Sequence, residues 1–365
     1  MRGKPGEAAA IGRGAAQMAT KAARAATQTA ALPEPDFSPA AQLVVSLAYH
    51  GARFHGFARQ ENPPQRTVQG ELEAALSTLL RRRATTVCAG RTDAGVHALG
   101  QVVNCPVSAG ELSSLGSAAV LDKMRVSLNA LTGDDVAVRA LRPGPPAFSA
   151  RFDAVRRVYR YRIVCGPVPP LFLRDFSWWH RTPLDVDAMR AAAARFVGEH
   201  DFKSFCRAAS AQGKNTVRTV ESVEVFEEEA LGESCLSVEV VGNAFLHSMV
   251  RTMVGTLVEV GEGKRAPQSV AGVLAACDRA AAGETAPAQG LVFERVDYPP
   301  AAFDLDGSVP AVAKQREDVI RDPNRDAALR AVLEETSAQV PVELSDADAR
   351  DLLSSRRLAD YENLA

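Results

Sequence analysis

The stretch CAGRTDAGVHALGQVVNC, residues 88–105, places an arginine, a threonine and an aspartate between glycines, with apolar strand-like residues on both sides. Its three glycines permit a sharply shaped loop and the close approach of a ligand. Asp93 lies in this loop two residues after Arg91, whose positive charge would keep the carboxylate ionised. Such a carboxylate can act as a nucleophile or a general base, whereas the alternative is an Asx-turn in which Asp93 only caps its own loop.

Two distant residues could complete a site around Asp93. Arg251 lies in the apolar helical stretch FLHSMVRTMVGTLVEVG, residues 245–261, where a charge on a buried face needs a partner such as the Asp93 carboxylate. The alternative is an arginine that reaches solvent from the edge of the helix. Tyr159 lies in the alternating pattern VYRYRIV, residues 158–164, and could stack on a nucleobase, although a tyrosine packed in the core is the commoner case.

Apolar periodicity predicts helices and strands that mix without strict βαβ alternation, which favours an α+β fold with a mostly antiparallel sheet. The predicted strands are 43–49, 85–88, 101–105, 136–141, 158–164, 217–226, 236–241 and 291–296, and the predicted helices are 68–80, 118–131, 187–197, a long helix that starts at Asn243, and 269–277. This order permits a β-α-β-β-α-β unit in each of two halves. We expect an N-terminal half at 37–166, which carries the Asp93 loop, and a C-terminal half at 167–300.

Composition excludes several classes of protein. The chain has 365 residues, 46% of them hydrophobic, and a formal net charge of −2, so an anionic partner would have to be bound by local clusters such as Arg81–Arg83 and Arg156–Arg157. The six cysteines form no CxxC pair and the histidines lack metal spacing, so we expect reduced thiols and no zinc site. No apolar run reaches about 18 residues, so we expect no membrane span.

The two ends differ from the body of the chain. The leader, residues 1–36, is rich in Ala and Thr with several basic residues and few acids, which is typical of a mitochondrial or plastid transit peptide. The alternative is a plain disordered tail on a cytoplasmic protein. Residues 301–365 carry 8 basic and 14 acidic side chains, and we expect a solvated appendage with short charged helices at 322–335 and 345–357.

The segment GRTDAGVHALGQV, residues 90–102, resembles the catalytic motif of the tRNA pseudouridine synthase A family. Further matches follow in the order of that family: YHGARFHGFARQ at 49–60, RVYRYRI at 157–163, HDFKSF at 200–205, VRTV at 217–220, GNAFLHSMVRTMVGTLVEVGEGK at 242–264 and APAQGLVFERVDYP at 286–299. The resemblance spans about residues 41–300 and leaves out the leader and the tail. His50 and Phe57 depart from it, because the family commonly has Asp and Trp there.

The resemblance implies a pseudouridine synthase fold of two ferredoxin-like halves that share one sheet, usually in a homodimer. It implies that uridine in tRNA, typically at positions 38 to 40 of the anticodon stem-loop, is isomerised to pseudouridine without a metal or cofactor. Asp93 matches the essential aspartate, and Tyr159 matches the tyrosine that stacks on the target uracil. Arg251 matches the arginine that pairs with the aspartate, and Arg91 matches a motif arginine that contacts the RNA strand.

The main hypothesis is therefore a tRNA-uridine isomerase, in which the atom that Asp93 attacks stays open. An alternative of another class is a catalytically inactive RNA-binding protein or tRNA chaperone of the same fold. The intact set of Asp93, Tyr159 and Arg251 argues against that alternative. A hydrolase that uses Asp93 would need a second catalytic acid or base, which the sequence does not reveal.

Overall fold

The computed structural model describes residues 32–61 and 63–303. The strands in this part of the chain are β1 (Ala41–Tyr49), β2 (Val87–Cys88), β3 (His97–Val107), β4 (Val136–Gly144), β5 (Arg156–Cys165), β6 (Trp178–His180), β7 (Gly198–Asp201), β8 (Val217–Ala230), β9 (Glu233–Gly242) and β10 (Leu291–Asp297). The helices are α1 (Val68–Leu80), α2 (Ala109–Ser114), α3 (Ala118–Leu131), α4 (Val186–Ala193), α5 (Ala208–Ala211), α6 (Met249–Gly261) and α7 (Ser269–Ala276). Residues 1–31 of the predicted leader and the predicted helices at 322–335 and 345–357 lie outside the described residues.

Within the described residues, the ten strands form one sheet in the order β4-β1-β3-β10-β5-β9-β8-β7, with β2 paired to β3 and β6 paired to β5. All neighbours are antiparallel except β3 with β10 and β5 with β6. The expected α+β fold with a mostly antiparallel sheet is confirmed. β10 is the last of these strands in the chain, yet it lies between β3 and β5, so residues near 295 complete the middle of the sheet.

The alternation in β5 separates the core from the other face of the sheet. Tyr159, Tyr161 and Ile163 are buried on the core face, as the pattern predicts. Arg160 and Arg162 lie on the opposite face, where their guanidinium groups pair with glutamates of β8, β9 and β10. These pairs allow charged residues to line a partly covered sheet face, because each charge has an opposite charge close by.

The start of the long helix α6 differs from the prediction. Asn243 does not begin the helix: its backbone N–H donates to the Thr219 carbonyl at 3.1 Å, and its side-chain oxygen accepts from the Thr219 N–H at 3.2 Å. Ser248 then adopts a left-handed conformation with φ 61°, and the helix begins at Met249. The apolar spacing extends further than the helix because residues 243–248 form an irregular segment that leads from the sheet into α6.

Other predicted elements are observed with shifted ends. α1 and α3 have the predicted bounds, whereas β3 begins at His97 instead of residue 101 and α4 ends at Ala193, followed by one 3-10 turn. The short helix α2 was not predicted, although Ser108 and Glu111 form a capping box at its start. Between residues 32 and 303, residue 62 excepted, no helix combines the length and the apolar character needed to cross a membrane.

Candidate active site

The Asp93 loop connects β2 to β3 and is held in shape by its neighbours. The Val96 N–H donates to the Asp93 carbonyl at 3.2 Å, and Gly95 takes a φ of 81°, which a residue with a side chain rarely adopts. The buried Thr92 shares a hydrogen bond of 2.7 Å with the Tyr49 hydroxyl, and its carbonyl accepts from the Phe57 N–H. The backbone around Asp93 is therefore tied to the core on both sides.

The Asp93 carboxylate binds residues from the other half of the chain. Arg251 donates from Nη1 to Oδ2 at 2.9 Å, and the Ser248 hydroxyl donates to the same oxygen at 2.8 Å. His247 Nε2 lies 3.1 Å from the other oxygen, Oδ1. The pairing of Asp93 with Arg251 that the sequence suggested is present, and the side chain binds a distant segment where an Asx-turn would bind its own loop.

Arg91 does not have the position that its spacing suggested. We expected Arg91 to keep the Asp93 carboxylate ionised, yet in the described part of the chain the basic side chains in contact with that carboxylate are those of Arg251 and His247. Arg91 itself is exposed on the loop. The side chains that contact this carboxylate belong to residues 247–251, so proximity in sequence did not identify its partners.

A backbone contact orients the Arg251 guanidinium. Its Nε donates to the Ala286 carbonyl at 2.8 Å, and the Ala286 N–H donates back to the Arg251 carbonyl at 3.1 Å. Nε is thus used for orientation, which leaves Nη1 for Asp93. A guanidinium suits this double task because its donors are held in one rigid plane.

Sequence reasoning missed His247 and Ser248. His247 is 39% exposed at its side chain, and its Nδ1 lies 3.0 Å from the Ser210 hydroxyl, so it links Asp93 to the segment around α5. His247 lies four residues before Arg251, a spacing that puts two side chains on one side of a helix or its entry. That spacing was the signal in the sequence that could have pointed to His247.

Tyr159 is buried beside the Asp93 loop. Its ring packs against Phe293, with centroids 4.8 Å apart, and edge-to-face against Phe245 at 5.1 Å. A Cβ at Gly90 would lie 3.5 Å from the Tyr159 hydroxyl, so the ring reaches the start of the loop. Burial raises the pKa of Tyr159, and nearby Asp93 acts in the same direction, so the hydroxyl stays protonated at neutral pH.

The two basic clusters singled out in the sequence are largely neutralised. Arg82 pairs with a glutamate of α2, Arg83 pairs with Glu34, and Arg156 pairs with glutamate and aspartate side chains of β8 and β10. Arg157 is buried and donates to backbone carbonyls. Within the described residues, no group of three His, Cys, Asp or Glu side chains is arranged to hold a metal ion.

Comparison with known proteins matches this arrangement to one family. A family model described as tRNA pseudouridine synthase matches residues 45–153 and 192–299. A tRNA pseudouridine synthase A of Brevibacillus brevis is 45% identical over 252 residues, which cover 69% of this chain and 97% of that protein. Proteins of the same name from Frankia casuarinae and Moorella thermoacetica are 44% and 41% identical; the matches cover 71% and 70% of this chain and 90% and 99% of those proteins.

The residues matched by the family model contain the Asp93 loop and helix α6 with Arg251, whereas strand β5 with Tyr159 lies between the two matched ranges. The similarity therefore includes the parts of the chain that meet at the carboxylate. The chain belongs to the tRNA pseudouridine synthase family.

Proposed function

We propose that this protein isomerises uridine to pseudouridine in tRNA. The observation that carries the proposal is the Asp93 carboxylate, held by Arg251 and Ser248 at the centre of the loop that the family shares. The relatives named tRNA pseudouridine synthase A align with this chain over nearly their whole length, so the chain contains a counterpart of almost all of each relative. The partly exposed carboxylate, oriented by an arginine, favours a catalytic protein over one that only binds RNA.

The reaction breaks one bond and forms another within a single nucleotide. The bond between uracil N1 and ribose C1′ breaks, the base turns, and a bond forms between C5 and C1′. The C5 proton is lost and N1 gains a proton, so the product has the same composition as the substrate. Asp93 supplies the carboxylate for these steps, as a nucleophile or as the base that removes the proton.

The two oxygens of Asp93 have different environments, which suggests different roles. Oδ2 accepts two hydrogen bonds, from Arg251 and Ser248, and is thereby held in place. Oδ1 contacts the partly exposed His247. We assign Oδ1 as the oxygen that meets the substrate, because His247 can move aside into solvent, whereas Arg251 is anchored to Ala286.

The target base has to leave its stack to reach Asp93, as in other enzymes that act on a base. Tyr159 is the residue on which the uracil stacks in our proposal, and Phe245, which now covers one edge of that ring, moves or shares the contact. Arg91 is exposed at the loop and binds the RNA backbone, so tRNA affinity falls with rising salt. Positions 38 to 40 of the anticodon stem-loop and a homodimeric enzyme are part of the proposal.

The first prediction tests Asp93 directly. Asp93→Asn keeps the size and the polarity of the side chain but removes its charge, so tritium release from tRNA containing C5-tritiated uridine should stop while tRNA binding persists. Asp187→Asn, at an exposed aspartate of α4 that pairs with Arg190, is the matched control and should release tritium at the wild-type rate.

Full turnover by Asp93→Asn would overturn the catalytic assignment. Wild-type protein that binds tRNA without any tritium release would instead support the inactive RNA-binding alternative. Sequencing of pseudouridine positions in the treated tRNA then identifies the target uridines.

A further inference from the structure

A short loop before β5 has a rigid backbone. The Ser149 N–H donates to the Asp153 carboxylate at 2.8 Å, and the Asp153 N–H donates to the Ser149 carbonyl at 3.0 Å, which closes the loop. Asn104 of β3 accepts from the Ala150 N–H at 2.8 Å, and the Tyr298 hydroxyl donates to the Ala150 carbonyl at 2.6 Å. The loop is thus hydrogen-bonded to strand β3 and to the residue that follows strand β10.

This rigid loop presents an aromatic ring to solvent. Phe152 is 55% exposed, and the ring contact recorded for it is the guanidinium of its neighbour Arg151, 5.4 Å from the ring centroid. Phe148, four residues earlier, is buried in a small apolar cluster, whereas Phe152 stays outside that cluster. A single exposed apolar side chain is common on protein surfaces, so the exposure gains meaning only from its surroundings.

Those surroundings are the catalytic loop. The buried Arg157 donates from one nitrogen, Nη2, to the Arg151 carbonyl at 2.6 Å and to the Ala89 carbonyl at 3.1 Å. Ala89 lies four residues before Asp93 in the loop of the candidate site. Arg157 therefore holds the Phe152 loop directly against the start of the catalytic loop.

The same place has exposed positive charge. Arg91 and Arg151 are both exposed, and neither has an ion-pair partner among residues 32–61 and 63–303. Both guanidinium groups lower the pKa of the Cys88 thiol against the larger effect of its burial, so both charges lie near the end of β2. Asp153, the acid closest in sequence, uses its carboxylate to close its own loop.

We propose that Phe152 and Arg151 form a binding site for an unpaired nucleobase of the RNA substrate, next to the target uridine. An exposed aromatic face stacks on any base, and an adjacent arginine can bind the phosphate of the same nucleotide. The two unpaired arginines favour a polyanion over a second copy of this protein as the occupant. The site rests on the proposed function, since it requires tRNA or a similar RNA as the substrate.

The test compares two exposed phenylalanines. Phe152→Ala should raise the Kd for tRNA about 5- to 100-fold, the range expected for the loss of one base–aromatic stack, with a larger effect on KM than on kcat. Phe152→Trp should retain wild-type affinity because it keeps a stacking face. Phe172→Ala removes a ring that is 61% exposed on another loop and serves as the control with unchanged Kd. Thermal unfolding of all variants checks that the fold is intact.

Abasic substitution along an anticodon stem-loop RNA identifies the stacked base. At one position the abasic RNA should bind wild-type protein as weakly as intact RNA binds Phe152→Ala. The Kd of Phe152→Ala for that abasic RNA should be no higher than the Kd measured with either change alone. Arg151→Gln should reduce the slope of log Kd against log salt by about 0.7 to 0.9, the value for one lost phosphate contact. Arg195→Gln, at an exposed arginine after α4, is its control.

Equal Kd values for wild type, Phe152→Ala and Phe172→Ala would overturn the inference, as would a set of abasic RNAs without any coupling to Phe152. A changed oligomeric mass of Phe152→Ala with unchanged Kd would also overturn it and assign the ring to an interface between copies. The proposed function fails separately, if wild-type protein forms no pseudouridine in tRNA.

Discussion

His97, four residues after Asp93, shows how a single side chain sets the position of the catalytic loop. It is buried, and its Nδ1 accepts a hydrogen bond of 3.1 Å from the Gly51 N–H. Its ring packs against His50 at 4.7 Å and against Phe176 at 4.9 Å between centroids. His50, a departure from the family pattern, thus serves as a packing partner of the loop in this protein.

The burial of His97 predicts a pH dependence of stability. Burial, aided by the charge of His50, lowers the pKa of His97 to about 4, from an ordinary value of 6.5. Between these two values the unfolded chain binds a proton that the folded protein does not. Stability should therefore be complete above pH 6.5 and should fall as the pH drops towards 4, by at most about 1.4 kcal/mol per pH unit from this residue.

Urea unfolding at several pH values between 7 and 4 measures this dependence. His97→Asn keeps a hydrogen-bond acceptor for the Gly51 N–H but cannot be protonated, so its stability should fall less steeply than that of wild type. The variant His55→Asn, at an exposed histidine, should retain the wild-type slope. Parallel curves for wild type and His97→Asn would contradict the prediction.

At the scale of elements, helix α6 approaches the segment before β10 so closely that their backbones touch. A Cβ at Gly255 would lie 1.8 Å from the Glu284 carbonyl oxygen, a distance at which the segment would have to shift. One turn earlier in the helix, Arg251 exchanges two hydrogen bonds with Ala286. The absence of a side chain at residue 255 therefore allows the contact that aims Arg251 at Asp93.

Two glycine-to-alanine changes in helices should have opposite effects on stability. Gly255→Ala should destabilise the protein by about 2 kcal/mol or more, because overpacking pushes backbone against backbone, and it should also lower the rate of pseudouridine formation. Gly272→Ala in α7, where a Cβ would meet no atom within 4 Å, should stabilise it by about 0.5 to 1 kcal/mol through helix propensity. Chemical denaturation of both variants measures the difference, and effects of the same sign would contradict the explanation.

At the scale of the whole described molecule, strand β10 connects the two sides of the sheet, β4-β1-β3 and β5-β9-β8-β7. It pairs with β3 on one side and with β5 on the other. Phe293 of β10 is fully buried and packs against Tyr159, within a core cluster that runs from β1 to β10. The sheet and its core are continuous, so unfolding of the strands on one side of β10 would expose core side chains of the strands on the other side.

Phe293→Ala should consequently weaken both sides together. The loss of a buried phenylalanine costs about 3 to 5 kcal/mol, and we expect amide hydrogen exchange in β1 and in β9 to accelerate to the same extent. Phe172→Ala, at an exposed ring, should leave exchange in both strands unchanged. Faster exchange confined to β9 would show that the two sides unfold independently.

Much of the fold and part of the site follow from local sequence. The bounds of α1 and α3 and the alternation of β5 depend on neighbours within a few residues, and the sequence predicts them. The sequence also predicts Asp93, Tyr159 and Arg251 as site residues. Arg251 is a charged residue in an apolar helical stretch, and all three match motifs of the family. The roles of these three residues in catalysis stay predictions.

The sequence by itself determined the periodicities, the glycine-shaped loop and the identity of the carboxylate. Only the tertiary structure decided that His247 and Ser248 contact Asp93, that Arg91 does not, and that β10 enters the middle of the sheet. The physical reason is that periodicity and turn chemistry act over a few residues. Contacts between residues more than 150 positions apart depend on how whole elements pack, and the irregular segment 243–248 follows from that packing.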